Sequence, residues 1–326
     1  MIKRGLGVAL LWLSVAASVF AVTDTSPATT LLQQMQQAYR ELNFELTLIE
    51  LRRGQLEPKR LTRGHLDGQA LTYLSYLNGQ PREYVQRDDE VSFFESSHDG
   101  YTLKPSELPG LFVRFQSMPV EQILAHYNVV AAGRSRVLGR IADVLRLDPR
   151  EPDYYGYVLW LDQETGLLLK LDTLDKEMGL VEQVMGVALN ISTQPAAFLT
   201  ELKAASLPPV LSLVEAYPAP QQALPWQADW LPKGFEIRSQ DKHQLPLTGQ
   251  LVDYLMASNG LVDVSVYVAN AMPNSDSRQQ LIRQGATHLV SLVNAARMEV
   301  TVVGDIPAEA ARRIAESITV KTGETP

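Results

Sequence analysis

The sequence predicts an α+β protein of two domains, in which a large antiparallel half-barrel sheet with helices precedes a smaller α+β domain. Three observations favour this class. A central stretch alternates apolar and polar residues with period two, which is typical of strands. A proline-rich segment interrupts the chain later, and 326 residues exceed the usual size of one domain. We place the domains at 22–205 and 223–326, with a linker at 206–222.

The central stretch, Tyr157–Ile191, is interpreted as three long antiparallel strands. The turns between them fall at Asp162–Gly166 and Asp175–Gly179, which are rich in the polar and glycine residues that turns favour. Because side chains along a strand point to alternate faces, we expect its apolar residues to line one face of the sheet. These residues are Leu159, Leu161, Leu167, Leu169, Leu171, Val181, Met185, Val187, Leu189 and Ile191.

A helix and several strands are predicted before this stretch. The helix is capped by Thr29 or Thr30, and its apolar residues recur with a spacing of three to four: Leu31, Leu32, Met35, Ala38, Tyr39 and Leu42. Strands follow at 44–48, on both sides of an Asn78-Gly79 hairpin signal, and at 91–94. A shorter helix is expected to start at Pro119.

The second half of the chain begins with a predicted helix at 195–202. Prolines at 208, 209, 218, 220 and 225 then exclude a regular helix or ladder, so this segment is predicted to be an extended linker. The second domain contains strands at 235–239, 250–256, 261–269, 287–293 and 298–303, and a helix that begins at Pro307. Residues 271–280 are polar and are expected to be mobile.

The first 21 residues have the layout of a secretory signal peptide. Lys3 and Arg4 precede an apolar run that ends at Ala21, where we expect cleavage. The run is shorter than the ~20 apolar residues of a membrane span, so the mature protein is expected to be exported and soluble. Without any cysteine it has no disulfides. The net charge of −8 for the full sequence gives no indication of nucleic-acid binding.

The residue pattern does not predict an enzyme. The five histidines are far apart in sequence, so neither a metal site nor a cofactor is expected. Ser239–Lys242 matches S-x-x-K and Lys321–Gly323 matches K-T-G, but neither falls where a penicillin-binding enzyme needs it. No phosphate loop, G-x-S-x-G or dinucleotide-binding glycine pattern is found in the mature chain.

A binding surface is the remaining possibility. A sheet with one strongly apolar face either covers it with helices or keeps a cavity that suits a lipid. Both readings stay open; the pocket candidates are Leu46, Leu48, Phe94, Leu159, Leu161, Leu169 and Leu171. Arg134, Arg136 and Arg140 could meet an anionic head group or simply lie on the solvated face of a strand.

Several short motifs, in this order along both halves, make the chain resemble the RseB/MucB family of periplasmic regulators of the envelope-stress sigma factor. They are Leu31–Met35 (LLQQM), Gly133–Arg136 (GRSR), Leu159–Asp162 (LWLD) running into Leu171-Asp172, Leu207–Pro209 (LPP), Trp230–Phe235 (WLPKGF), Val303-Gly304 and Arg313–Ala315 (RIA). The resemblance implies that the first domain is similar to periplasmic lipoprotein carriers of the LolA and LolB type. It also implies that the second domain docks on the periplasmic part of an anti-sigma factor such as RseA or MucA and shields it from site-1 proteolysis.

On this basis we expect a periplasmic regulator that is released by a lipid, glycolipid or lipoprotein acyl group in the first domain. We expect 221–326 alone to bind the anti-sigma segment, through Trp226, Trp230, Arg283 and Arg297, since Trp and Arg are frequent interface anchors. Both tryptophans could instead seal the domain joint. A lipoprotein or lipid carrier and an envelope hydrolase are the alternatives, and a homo-oligomer is possible.

Overall fold

The computed structural model describes residues 26–52, 54–96, 99–104, 106–211, 224–244, 251–271 and 279–321. The signal-peptide prediction lies outside these residues, as do most of the predicted linker and of the polar segment 271–280. Among the described helices, none is long and apolar enough to cross a membrane.

The first helix, α1 (Pro27–Glu41), is the predicted one, but it begins earlier than expected. Ser26 rather than Thr29 or Thr30 is its N-cap: the Ser26 hydroxyl accepts from the Thr29 backbone N–H at 3.2 Å, and Pro27 occupies the first helical position. Proline fits there because that position needs no N–H donor. Leu32 and Met35 are fully buried against the large sheet, so the predicted face is the buried one.

Six strands follow α1 in one antiparallel meander: β1 (Asn43–Arg52), β2 (Gln55–Leu66), β3 (Gln69–Tyr76), β4 (Arg82–Arg87), β5 (Glu90–Glu95) and β6 (Tyr101–Leu103). The sequence does not predict β2, because charged residues, Pro58 and Gly64 obscure its alternation. Asn78-Gly79 lies in the β3–β4 connection, as predicted, but that connection is five residues long.

Two short helices, α2 (Leu111–Ser117) and α3 (Val120–His126), connect the meander to the rest of the sheet. The prediction of α3 is confirmed, with Pro119 at its N-cap. The sequence did not predict α2. Its residues are apolar on nearly every side, and five of its seven residues are buried, so no polar face marks a helical period.

Five further strands complete the large sheet: β7 (Tyr127–Val137), β8 (Arg140–Pro149), β9 (Gly156–Asp162), β10 (Leu168–Leu174) and β11 (Leu180–Ser192). The predicted three-stranded unit with its two turns is β9–β11. Met185 and Val187 are exposed, contrary to the predicted single face, while Val184 is buried. A register shift between β1 and β11, at Thr47/Leu48, interrupts the alternation at this point.

The helix α4 (Ala197–Ala204) matches the predicted closing helix, and β12 (Val210–Leu211) then pairs in parallel with β6. The large sheet therefore has twelve described strands, in the order β12-β6-β5-β4-β3-β2-β1-β11-β10-β9-β8-β7. Because β12 falls inside the segment predicted as linker, the start of that segment belongs to the first sheet. The limits of the two domains otherwise stay predictions.

The second domain contains a smaller antiparallel sheet and one described helix. Its elements are β13 (Trp226–Ala228), β14 (Glu236–Gln244), β15 (Leu251–Ser258), β16 (Asp263–Asn270), β17 (Gln280–Gln284), β18 (Thr287–Val293), β19 (Met298–Gly304), α5 (Ala308–Glu316) and β20 (Ile318–Val320). Six strands form the sheet in the order β14-β15-β16-β19-β18-β17, and β13 pairs with β20. The helix α5 packs on β18 and β19 through Ala310, Ala311 and Ile314.

Candidate functional site

The inner face of the large sheet is closely packed. Five of the seven pocket candidates are at most 2% exposed and belong to one core cluster: Leu46, Leu48, Leu159, Leu161 and Leu171. Four cavities in the described part of the chain have volumes of about 120 to 260 Å³, and none of them is lined by these five residues. In this conformation the face is a filled core.

Two pocket candidates do not lie in that cluster. Leu169 is fully buried, but it packs in a small separate cluster with Val137 and Ala142. A register shift between Leu168 and Lys170 places Leu168 opposite Leu161 instead. A bulge of this kind makes strand alternation an unreliable guide to which residue faces the core.

Phe94 is the second exception. It is half-buried, and its neighbour Phe93 is the residue that packs on the main core, with its ring centroid 5.4 Å from that of Tyr84. Val91 on the same strand is fully buried, so Val91 and Phe93 share the inward face by simple alternation. Phe93 rather than Phe94 thus packs on the core, and a lipid-binding role of Phe94 stays a prediction.

Part of the inner face is covered by α2–α3, defined here as residues 108–126, beside α1. Phe115 of α2 is fully buried and meets the Tyr157 ring edge-on, with the centroids 4.9 Å apart. Val120 and Ile123 of α3 join the same core. Burial of such side chains contributes about 1.5–3 kcal/mol each, so this cover is strongly held while it stays apolar.

The three head-group candidates have different surroundings. Arg134 is exposed and contacts Asp143 at 2.9 Å, and Arg136 is also exposed. Arg140 makes two hydrogen bonds of 2.8 and 2.9 Å to the Asp162 carboxylate, which is almost completely buried. Arg140 therefore neutralises a buried charge at the β9–β10 turn, while Arg134 and Arg136 are accessible to a ligand.

The four partner-binding candidates are also divided by burial. Trp226 is 2% exposed, and its indole N–H donates to Asp253 at 3.0 Å within the second domain. In this conformation it is therefore a core residue and is not accessible to a partner. Trp230 is half-buried beneath the Arg313 guanidinium, 3.9 Å from its ring. Arg297 is exposed, and the Arg283 side chain bonds to the Gly285 carbonyl.

The two domains meet at a joint whose first part is formed by α2–α3. Arg114 of α2 contacts Asp263 at 2.6 Å and donates to the Leu261 carbonyl at 3.0 Å. Gly260 of the β15–β16 turn lies against Met118 and Gln122; a Cβ there would be 3.1 Å from both side chains. The segment α2–α3, which covers part of the inner face, thus also holds the second domain.

Aromatic residues between β8 and β9 form the second part of the joint. The Tyr154 hydroxyl donates to the Lys233 carbonyl, and the Tyr154 ring packs between His126 and Phe235. Tyr155 is 4% exposed, and its hydroxyl lies 3.0 Å from His288 Nδ1 and 3.2 Å from the Ala286 carbonyl oxygen. Burial raises the pKa of Tyr155, so its hydroxyl stays protonated and can donate.

A buried pair of carboxyl groups forms the third part of the joint. Glu182 on β11 accepts a hydrogen bond of 3.2 Å from the Ala286 backbone N–H of the second domain. Burial, together with the neighbouring Glu50 carboxyl group, raises the pKa of Glu182 to about 8. Burial would also raise the pKa of Glu50, but the charges of Lys59 and Arg52 outweigh it and lower that pKa. The two shifts have opposite directions, so Glu182 holds a proton more readily than Glu50 does.

Sequence reasoning did not identify these joint residues. Arg114 and Asp263 are 149 positions apart, and Tyr155 and His288 are 133 apart, so no local spacing connects them. No group of His, Asp and Glu in the described residues is arranged to hold a metal ion. The joint combines hydrogen bonds, ion pairs and an apolar cluster that continues from one sheet into the other.

A large sheet domain with a covered apolar face is joined through part of its cover to a smaller sheet domain, and the two form one two-domain scaffold. The chain belongs to the MucB/RseB family: the model of the MucB/RseB N-terminal domain matches residues 27–211, and that of the MucB/RseB C-terminal domain matches residues 220–319. The family's curated members found here are sigma-factor regulatory proteins.

Two curated relatives illustrate the extent of the similarity. The sigma-E factor regulatory protein RseB of Salmonella typhimurium is 33% identical over 309 residues, which are 93% of this chain and 95% of that protein. The sigma factor AlgU regulatory protein MucB of Pseudomonas aeruginosa is 29% identical over 307 residues, which are 91% of this chain and 92% of that protein.

Two solved structures are similar over both domains. MucB in the complex of Pseudomonas aeruginosa MucA and MucB has a TM-score of 0.71 and 27% identity, covering 91% of this chain and all of that one. A crystal structure of MucB has a TM-score of 0.58 and 26% identity, covering 90% of this chain and 98% of that one. The similarity therefore spans both domains.

Proposed function

We propose that this protein is a periplasmic regulator that binds the periplasmic domain of a membrane anti-sigma factor of the RseA or MucA kind. Binding shields that domain from site-1 proteolysis, and a lipid or lipoprotein acyl group in the first domain releases it. One observation carries the proposal: both domains match MucB, a protein solved in complex with MucA.

The second domain offers a surface for such a partner. β17 lies at the edge of the six-stranded sheet, and Leu281 and Ile282 on it are 56% and 58% exposed. An edge strand presents backbone groups to which an extended peptide can add as a further strand, while neighbouring apolar side chains add contact area. Arg283, on the same strand, supplies a cation for an acidic partner segment.

The test is a titration of the mature protein with the purified periplasmic domain of the anti-sigma factor from the same organism. We expect saturable binding, slower cleavage of the bound domain by the site-1 protease, and weaker binding after a lipid is added. Replacing Leu281 and Ile282 together by serine removes the apolar contacts of β17 and is expected to weaken binding at least about tenfold.

The matched control is Ile237→Ser on β14, at the opposite edge of the same sheet, where Ile237 is 46% exposed. It should leave binding unchanged. Equal loss in both variants would contradict the placement of the partner at β17. No binding by the unaltered protein would contradict the regulator itself, and transfer of a bound acyl protein between membranes would favour the carrier alternative.

A further inference from the structure

The segment α2–α3 has two faces with different contacts. Its apolar side contributes Phe115, Val120 and Ile123, all at most 3% exposed, to the same core cluster as Leu159 and Leu161. An acyl chain that reaches this face has to occupy the volume beneath the segment. Ligand pockets usually enclose about 300–1,000 Å³, more than any of these four cavities, so an acyl chain that enters beneath the segment has to displace it.

The other side of the segment holds the second domain at three successive points along its length. Arg114 binds Asp263 and the Leu261 carbonyl; Met118 and Gln122 pack on Gly260; and His126 packs against Gly234 and stacks on Tyr154. A Cβ built on Gly234 would lie only 2.2 Å from His126 Cε1, which shows how closely the two domains approach here. Lifting α2–α3 therefore separates all three points together.

We propose that α2–α3 is at once the cover of the acyl-chain site and the clamp on the second domain, so that an acyl chain entering beneath it opens the domain joint. The inference rests on the proposed function and gives its release step a structural cause. A ligand shifts an equilibrium only if it prefers one of the two states. Here the two states differ in the position of α2–α3. The acyl chain binds when the segment is displaced from the core, and the joint is intact only when the segment is packed on the core.

Coupling of this kind is reciprocal. Anything that opens the joint from the second domain should loosen α2–α3 and should strengthen acyl-chain binding by the same factor. The test therefore changes a residue of the joint that does not contact the inner face. It then measures how firmly α2–α3 is held on the core.

Gly234→Ala is the wedge, because its new methyl group meets the His126 ring. Gly234 has a φ of +90°, so alanine there is also strained by the backbone itself. The double variant Gly234→Ala with His126→Ala carries the same backbone strain without the collision. The difference between the two variants measures the effect of the collision between the new methyl group and the His126 ring. His126→Ala alone controls for the loss of that ring.

Two readouts are measured on the mature full-length protein. Amide hydrogen exchange in residues 108–126 is expected to be roughly tenfold faster in Gly234→Ala than in the double variant, a typical size for coupling between sites. Exchange in α5 serves as the internal reference and should not differ. The fluorescent fatty acid cis-parinaric acid is expected to bind roughly tenfold more tightly to Gly234→Ala than to the double variant.

Each result has a distinct meaning. Equal exchange rates in α2–α3 of both variants would contradict the proposal that α2–α3 holds the second domain. This conclusion would not depend on whether lipid weakens the partner complex. Faster exchange with no binding of the fatty acid to any variant would overturn the acyl-chain site and the lipid release in the proposed function, and would leave the mechanical coupling standing. Faster exchange with tighter fatty-acid binding supports both.

Discussion

The inner face of the large sheet and the domain joint are adjacent regions built from different interactions. The face is closed almost wholly by apolar side chains, with Leu159, Leu161 and Phe115 at most 1% exposed. The joint has apolar contacts too, but it also contains ion pairs, tyrosine hydroxyls and the Glu182 carboxyl group, whose pKa is raised by burial. Apolar packing is stable and insensitive to pH, whereas charged and hydrogen-bonded contacts can be broken one at a time. We therefore expect the sheet core to provide most of the stability and the joint to be the part that can open.

The largest effect is expected from a charge on the inner face. Leu161→Asp buries an unpaired carboxylate among apolar side chains and should lower the free energy of unfolding by more than about 4 kcal/mol. Ile141→Asp, on a residue that is 56% exposed in β8, is the control and should change stability by less than about 0.5 kcal/mol. Urea unfolding followed by circular dichroism measures both. If Leu161→Asp lowered the free energy of unfolding only slightly, this face would already be open to water.

A smaller loss is expected at the edge of the same sheet, where two arginines pair with carboxylates of different burial. Arg140→Ala leaves the buried Asp162 carboxylate without its cation and should destabilise the protein by about 1–3 kcal/mol. Arg134→Ala breaks an ion pair whose arginine is 65% exposed and should cost less than about 0.5 kcal/mol. Equal losses in urea unfolding would show that burial of Asp162 does not matter.

The joint is expected to make stability depend on pH through Glu182. Its folded-state pKa of about 8 lies above its value in the unfolded chain, so the unfolded chain releases the proton first as pH rises. Stability should therefore fall between about pH 4.5 and pH 8 and level off above that range. Glu182→Gln should remove the decline, whereas Glu201→Gln, on the exposed side of α4, should retain it. Urea unfolding at pH 5 and pH 8 compares them.

A still smaller loss is expected from one hydroxyl of the joint. Tyr155→Phe removes the contacts with His288 and Ala286 but keeps the ring, at a cost of about 1 kcal/mol. The loss should appear as faster hydrogen exchange at the β17–β18 turn of the second domain, with exchange in β9 and β10 unchanged. Tyr76→Phe, whose ring contacts lie within the first domain, should not affect that turn. If Tyr155→Phe made exchange faster in β9 and β10 as well as at the turn, the hydroxyl would stabilise both domains rather than the joint alone.

Much of the fold could be predicted because its signals are local. The β9–β11 unit follows from period-two alternation between turns rich in glycine and aspartate, and α3 and α5 from prolines that precede apolar residues at helical spacing. These patterns depend on residues a few positions apart, which is why they survive without any knowledge of tertiary contacts. Strand β2 and helix α2 were missed because burial or charge on both sides removes the alternation that a pattern requires.

The sequence by itself determined the α+β class, the order of most strands and helices, and the resemblance to the MucB/RseB family. Only the tertiary structure decided which residues face the core where register shifts interrupt a strand, as with Leu168 in place of Leu169. It alone brought Arg114 to Asp263, Tyr155 to His288 and Glu182 to Ala286, because these pairs are separated by more than 100 positions. Local sequence sets the direction of each side chain within its helix or strand. Contacts between distant elements depend on how those elements pack. Because the joint consists of such contacts, only the tertiary structure shows it.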